Sequence, residues 1–286
     1  MKYTLIAPPD DNLTVVEQIL VNRGIDLEDV PRYLRTTDSE LYDPLLLEQV
    51  DLAVGVLAKH LKLGSKIYLQ VDSDCDGYTS SAFLLNWIWR YNSKYFDQFK
   101  FALHPGKEHG LSKEFVSNVT SDEFQLVIVP DAGSNQHEEH QILRDKGIDV
   151  LVLDHHEAHE RSVSAVVVNP QLDAYPNKQL SGVGIVYKFC KVLDQVTGSD
   201  IADGLLDLVS LGMVADMVDM REFETRHLII KGLTNINNPF IKALIERQSY
   251  SMKGDITPLG VGFYLAPLVN AVIRVGEPEE KRLLFS

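Results

Sequence analysis

Three aspartates alternate within a six-residue stretch of this chain. Positions 72–77 read DSDCDG, so Asp72, Asp74 and Asp76 stand two residues apart. Like charges this close repel one another unless a positive group lies among them. Alternating carboxylates are hard oxygen ligands that suit Mg²⁺ or Mn²⁺, and they converge if the backbone is extended. A solvated acidic turn is the alternative, but the preceding apolar run and the following glycine favour a metal site.

Further acidic and imidazole side chains occur later in the chain. Asp131 follows the run FQLVIVP, where it could be a turn residue or could bridge two cations. Asp154, His155 and His156 follow DVLVL, and adjacent histidines point in different directions, so one could ligate a metal while the other reaches a substrate oxygen. Asp216 lies in the apolar run LVSLGMVADMVDM. An aspartate buried in such a run needs a partner, which a helix cap, an ion pair or a metal would provide.

A fifth pattern, SGVG at 181–184, begins a predicted helix. Small residues at a helix N-terminus suit anion binding through free backbone N–H groups. Close packing of the helix against a neighbour is the alternative explanation for the glycines.

Five short apolar runs separated by helical patterns place these residues on a sheet. The runs are 66–71, 100–104, 124–129, 149–153 and 165–169. Runs buried on both faces that alternate with helices indicate a parallel α/β sheet. The polar residues at their ends are Asp72, His104, Asp131, Asp154 and Asn169. Because ligands of open parallel sheets bind beyond the carboxyl ends of the strands, we expect a site at this edge.

Helical patterns flank the sheet on both sides, over 12–23 and 43–62 before it and over 181–195 and 204–218 after it. The sequence therefore predicts three parts, namely a helical N-terminal segment (1–64), an α/β core (65–220) and a helical C-terminal part (221–286).

Composition limits the classes of protein that fit. The 286 residues are 45% hydrophobic, which is enough for a substantial core. Cys75 and Cys190 form no CxxC pair, which favours a reducing cytoplasm. We expect no membrane association, because no run approaches the ~20 apolar residues that a span requires. The net charge of −14 has the wrong sign for binding nucleic acid through the overall charge of the protein.

Together these motifs resemble the DHH phosphoesterase family, and within it the RecJ-like single-strand-specific exonucleases. The matching segments, in the family's order and spacing, are DSDCDG (72–77), Asp131, DHH (154–156), SGVG with YK (181–188) and LGMVAD (211–216). The segments 104–112 and 264–284 are also similar, so the resemblance covers nearly the whole chain. NAVIR in place of the more usual NAAGR, and PGK where arginine is more common, are departures in substrate-contact segments.

The resemblance implies a role for each candidate residue. Asp72 and Asp74 would serve one ion, and Asp76, His155 and Asp216 a second ion, with Asp131 as the bridge. The ions would be two Mn²⁺, with Mg²⁺ as the alternative. His156 and Arg274 would bind the scissile phosphate, and Asp154 would orient a histidine. Ser181, Lys188 and His104 are weaker candidates for substrate contact.

The resemblance also implies an activity, which is 5′→3′ digestion of single-stranded DNA to mononucleotides during recombination or repair. A single-strand-binding protein or a helicase would be the partner. RecJ-like proteins continue into a second, DHH-associated domain, which we expect this chain to lack. Two alternatives stay open: a phosphodiesterase for short oligonucleotides or cyclic dinucleotides, and a catalytically silent DHH scaffold that binds nucleic acid or replication proteins.

Overall fold

Five parallel strands form one sheet in the computed structural model, which describes residues 6–286. The strands are β1 (Ile67–Val71), β2 (Phe99–Leu103), β3 (Leu126–Pro130), β4 (Asp149–Leu153) and β5 (Val166–Val168). Every strand pair is parallel, and the spatial order is β2-β1-β3-β4-β5. The predicted fold class, a parallel α/β sheet flanked by helices, is confirmed, and each strand lies within two residues of its predicted run.

The strand order reverses at β1, which pairs with β2 on one side and with β3 on the other. The chain therefore leaves β1 in one direction and returns to its opposite side, which opens a crevice between the carboxyl ends of β1 and β3. Ligands of open α/β sheets bind at such switch points. Asp72 directly follows β1, and Asp131 directly follows β3.

Alternate strand residues pack into two separate cores, one on each face of the sheet. Leu69 and Ile128 belong to the larger core, whereas their strand neighbours Tyr68 and Val127 belong to the smaller one. This period of two is the reason the strand runs are apolar throughout. The larger core also includes Val54, from the predicted N-terminal segment, together with residues of the C-terminal part. The three predicted parts thus share a core, and their boundaries stay a prediction.

Helices cover both faces and both flanks of the sheet. Those before β4 are α1 (Val15–Asn22), α2 (Val30–Leu34), α3 (Val50–Leu63), α4 (Cys75–Tyr91), α5 (Ser93–Phe96), α6 (Lys113–Asn118) and α7 (His137–Asp145). Those after β5 are α8 (Gly182–Thr197), α9 (Leu206–Ala215), α10 (Phe223–Thr234), α11 (Pro239–Arg247), α12 (Ser249–Met252), α13 (Pro258–Gly260), α14 (Ala266–Val275) and α15 (Pro278–Phe285).

Two helices begin elsewhere than the sequence predicts. The helix predicted over 43–62 begins at Val50, because Pro44–Leu46 forms a separate 3₁₀ turn and Gln49 has a left-handed backbone with φ 65°. The helix predicted from position 79 begins at Cys75 instead, four residues earlier. That second difference changes how the acidic segment is built.

One helical segment, Pro258–Val275, is long and apolar enough to meet the length and composition of a membrane span, with mean hydropathy 1.4. It comprises α13, a π-helical turn (Val261–Leu265) and α14. Ala266, Val269 and Ile273 pack into the larger core, and 33% of the segment is buried. The sequence-based expectation that no such run exists is therefore wrong for this segment, although its packing on the core gives it a place in the fold.

Candidate metal centre at the sheet edge

Asp72 is held from both sides by a loop that follows β2. Its side chain is buried, with Oδ1 accepting a hydrogen bond from the Gly110 N–H at 2.9 Å and Oδ2 lying 2.6 Å from His109 Nδ1. Burial raises the pKa of Asp72, against the influence of His109. Sequence reasoning assigned no role to His109. The available signal was a histidine in the loop after the strand that neighbours β1.

Asp74 and Asp76 lie at the start of α4, and only Asp74 has the extended backbone that alternation predicted. Asp74 is the N-cap, and its Oδ1 accepts a hydrogen bond from the Gly77 N–H at 3.0 Å. Asp76 lies in the first helical turn and is buried. Position 77 requires glycine, because a Cβ there would lie 2.5 Å from Asp72 Cβ. The three carboxylates therefore converge through a strand-to-helix turn, because the condition of an extended backbone does not hold at Asp76.

The N-terminus of α8 binds the carboxylate of Asp76. Ser181 Oγ donates to Oδ1 at 2.9 Å, the Gly182 N–H donates to Oδ2 at 2.6 Å, and the Val183 N–H donates to Oδ1 at 3.2 Å. The prediction that this helix start binds an anion agrees with these contacts, but the anion is a side chain of the same molecule. Ser181 is fully buried, so the structure does not support it as a substrate contact.

Asp131 occupies a strained position between β3 and α8. Its φ is 64°, a left-handed value that few residues other than glycine, asparagine and aspartate adopt. A Cβ on Gly182 would lie 2.3 Å from Asp131 Oδ1, so only glycine fits there. Oδ1 is buried and accepts no hydrogen bond from any residue that the structure describes, although His155 Nε2 lies 3.2 Å away.

Asp154 orients the two histidines that follow it. Its Oδ1 accepts hydrogen bonds from the backbone N–H groups of His155 at 2.7 Å and His156 at 3.2 Å, and lies 2.8 Å from His156 Nδ1. This contact with Asp154 raises the pKa of His156 to about 9. Burial favours a higher pKa for Asp154, but the hydrogen bonds from His156 and Ser134 have the larger combined effect. The pKa of Asp154 is therefore lowered. His156 Nε2 has no hydrogen-bond partner among residues 6–286, and the side chain is 54% exposed.

Asp216 terminates α9 rather than lying inside a helix, and its side chain is 32% exposed. Its Oδ2 lies 3.9 Å from His155 Nε2, which is also 3.9 Å from Asp76 Oδ2. Burial, followed by the charges of Asp76 and Asp74, raises the pKa of Asp216 to about 7.

The candidate ligands thus form two adjacent triads. Asp72, Asp74 and Asp131 bring one ligand atom each within 4.8 Å of one another, and so do Asp76, His155 and Asp216. Asp131 also belongs to a further group with Asp154, His155 and His156, so it lies between the triads. Burial, and then the charges of Asp76 and Asp74, raises the pKa of Asp131 well above its ordinary value. Asp131 Oδ1 is buried without a hydrogen-bond donor among the described residues, and the carboxyl groups around it have raised pKa values. Both observations fit a site for divalent cations.

Three other predicted substrate contacts lie outside these triads. Lys188 is buried, with Nζ 2.5 Å from Glu224 Oε1 and donating to the Tyr42 carbonyl at 2.7 Å, so its charge is already paired inside the protein. His104 is also buried, and burial lowers its pKa, although the charge of Asp72 raises it. The structure therefore places His104 in the loop around Asp72 rather than on an open surface.

Arg274 lies exposed on α14, and it makes no hydrogen bond or ion pair with the residues from 6 onward that the structure describes. The asparagine one turn earlier is firmly held, because the Cys75 N–H donates to Asn270 Oδ1 at 3.0 Å. That hydrogen bond joins α14 to the turn that carries Asp74 and Asp76.

Comparisons with known proteins agree with this architecture. The profile of the DHH family, N-terminal domain, matches residues 66–213. YorK of Bacillus subtilis strain 168, which bears the name of a prophage-derived single-strand DNA-specific exonuclease, is 42% identical over 282 residues. RecJ of the same organism, named as a single-stranded-DNA-specific exonuclease, is 29% identical over 276 residues. A crystal structure of exonuclease RecJ bound to manganese superposes with a TM-score of 0.73 at 26% identity.

These matches cover most of this chain but only part of each relative. The alignments span 98% of this chain and 48% of YorK, and 93% of this chain and 34% of RecJ. The structural match covers 86% of this chain and 63% of the manganese-bound protein. The chain therefore spans about half or less of the length of these curated relatives.

Proposed function

We propose that this chain, which belongs to the DHH family, hydrolyses phosphodiesters of single-stranded DNA from the 5′ end and releases mononucleotides. The observation that carries this proposal is the pair of carboxylate and imidazole triads that meet at Asp131. The names of YorK and RecJ support the choice of substrate. Two buried free cysteines and the kinship with DNA-processing proteins fit a reducing cytoplasm.

We assign the two triads to two divalent cations, Mn²⁺ first and Mg²⁺ as the alternative. Asp72 and Asp74 would hold one ion, Asp76, His155 and Asp216 the other, and Asp131 would contact both. Such a pair of ions, when bound, activates the attacking water and stabilises the charge of an in-line displacement at phosphorus. The carboxylate-rich donor set suits these hard cations better than Zn²⁺ or Cu²⁺.

The remaining residues bind and orient the substrate in this proposal. Asp154 holds His156 through Nδ1, which leaves His156 Nε2 free to donate a hydrogen bond to a non-bridging oxygen of the scissile phosphate. Arg274, unpaired among the described residues, is the second candidate for the phosphate. A donor aimed at an oxygen where charge develops stabilises the transition state.

The experiment is digestion of single strands labelled at one end, with Mn²⁺ or with EDTA. We expect labelled mononucleotide from a 5′-labelled strand in Mn²⁺ and intact strand in EDTA. Asp131→Asn should be inactive, whereas Asp122→Asn, the same change at an exposed loop position, should retain wild-type activity. Faster turnover of a dinucleotide than of a long strand would favour the short-substrate phosphodiesterase. If calorimetry detected no Mn²⁺ binding to the wild-type chain, the result would refute the proposed enzyme and favour the catalytically silent scaffold.

A further inference from the structure

We propose that an apolar groove beside the triads binds nucleobases of the strand, a proposal that rests on the function proposed above. The groove lies between the C-terminal end of α9 and the segment Pro258–Val275, and we call it the α9–α14 groove. Its volume is about 930 Å³, and its lining includes Met217, Leu259, Phe263, Asn270 and Arg274. A cavity of this size accommodates a ligand larger than one base.

Both walls of the α9–α14 groove begin at the candidate metal ligands. On one side, Ala215 and Met217 line the groove and flank Asp216 in the sequence. On the other side, Asn270 accepts the hydrogen bond from Cys75, which stands between Asp74 and Asp76. A strand whose phosphate lies at the triads must continue along a neighbouring surface, and the groove begins at the residues on either side of Asp216.

The groove exposes large apolar side chains to water. Phe263 is 69% exposed, Leu259 71% and Met217 88%. Contiguous exposed apolar surface of this kind marks a binding site more often than chance scatter does. Aromatic rings and polarisable thioethers are the side chains on which bases stack without regard to sequence.

Met217 also has a backbone conformation that favours glycine. It follows Asp216, the C-cap of α9, with φ 58°, the position where helices commonly end in a left-handed glycine. A methionine there is strained, and its side chain gains nothing from burial. Strain combined with exposure beside Asp216 indicates a role in binding rather than in folding.

Charge favours a nucleic acid strand over other occupants of the groove. The chain carries −14 overall, yet among the described residues no carboxylate lines the groove, and Arg274 is its charged side chain. A passing phosphate therefore meets a guanidinium rather than an acidic group, while the bases meet apolar surface. A lipid surface or a second copy of the chain would use the apolar area but not the adjoining triads.

The test removes the bases from the ligand and the apolar side chains from the protein in one thermodynamic cycle. Fluorescence anisotropy in EDTA measures the Kd of a labelled 12-nucleotide oligothymidylate and of an abasic strand of the same length. We expect the wild-type chain to bind the oligothymidylate about tenfold more tightly than the abasic strand. Phe263→Ala and Met217→Gly should each reduce that ratio to about twofold or less. Tyr250→Ala, which removes a ring that is 95% exposed outside the groove, should keep the wild-type ratio.

Met217→Gly separates binding from folding, because glycine adopts the left-handed backbone without strain. Its thermal midpoint should equal or exceed that of the wild type while base discrimination falls. An unchanged ratio in both groove variants overturns the proposal, as does a wild-type chain that fails to distinguish the two strands. Two further results would also overturn the proposal. One is a dimer in sedimentation that is lost in Phe263→Ala, and the other is binding to phosphatidylcholine vesicles that is lost in the same variant. Mn²⁺-dependent hydrolysis is measured in parallel: hydrolysis without base discrimination refutes the groove alone, and discrimination without hydrolysis refutes the nuclease alone.

Discussion

Replacing Asp131 by asparagine should stabilise the metal-free protein. Asp131 is buried, and its pKa is raised well above 3.8 by burial and then by the charges of Asp76 and Asp74. Folding at neutral pH therefore requires this carboxyl group either to take up a proton or to stay ionised among like charges. Asparagine has the shape of the neutral carboxyl group and tolerates the left-handed backbone at φ 64°.

The size of the effect follows from linkage. Each pH unit between the ordinary pKa of 3.8 and the assay pH costs about 1.4 kcal/mol while the folded group stays protonated, which gives roughly 4 kcal/mol at pH 7 as an upper limit. A folded pKa above the unfolded one means that the penalty is absent below pH 3.8 and grows as pH rises. We therefore expect Asp131→Asn to raise the free energy of unfolding by about 2–4 kcal/mol at pH 7 and by almost nothing at pH 4.

Urea unfolding followed by circular dichroism in EDTA, between pH 4 and 8, measures this difference. Mn²⁺ should reduce this difference in stability, because a ligand at a hundred times its Kd adds about 2.7 kcal/mol to the wild type, and the variant should gain less. The matched control is Asp194→Asn, since Asp194 is also buried but accepts hydrogen bonds from Trp87 Nε1 at 2.9 Å and the Ala202 N–H at 2.9 Å. That change should cost about 1–3 kcal/mol. An Asp131→Asn variant no more stable than wild type at pH 7, or a gap independent of pH, refutes the reasoning.

Three further substitutions test other contacts. Gly182→Ala places a Cβ 2.3 Å from Asp131 Oδ1 and should weaken Mn²⁺ binding at least tenfold in calorimetry, whereas Gly55→Ala, with open space around it, should leave binding unchanged. His109→Ala removes the partner of Asp72 and should weaken Mn²⁺ binding about 10- to 100-fold; wild-type affinity would contradict a supporting role. Lys188→Met leaves Glu224 buried without its cation and should cost about 3–5 kcal/mol in urea unfolding, with Mn²⁺ affinity unaltered; a stable variant with weakened DNA binding would restore Lys188 as a phosphate contact.

The sheet and its polar edge could be predicted because they follow from local patterns. Apolar runs such as 149–153, buried on both faces, predict strands, and the residues after them must lie at one edge when the strands are parallel. Which edge residues meet depends on strand order, which no local pattern encodes. The reversal at β1 brings Asp72 next to Asp131, and the resemblance to a family, rather than spacing, supplied that grouping.

The candidate residues that the structure places in internal contacts have partners that are distant in sequence. Lys188 and Ser181 have the chemistry of phosphate contacts, but Glu224 and Asp76, 36 and 105 residues away, already occupy them. His109 went unassigned for the same reason, since its partner Asp72 lies 37 residues earlier. A sequence shows what a side chain can bind, whereas the fold determines whether an internal group has already bound it.

The hydrogen bonds of the site show where positive charge is still needed. Three donors at the start of α8 satisfy Asp76, the loop after β2 satisfies Asp72, and the Gly77 N–H satisfies Asp74. Water can reach Asp216, but Asp131 Oδ1 is buried without a donor among the described residues. The uncompensated charge is thus concentrated where the two triads meet. Because Asp131 lies between the triads, a cation in either would offset the charge of the same carboxylate, so the two binding events should be coupled and Asp131→Asn should weaken both.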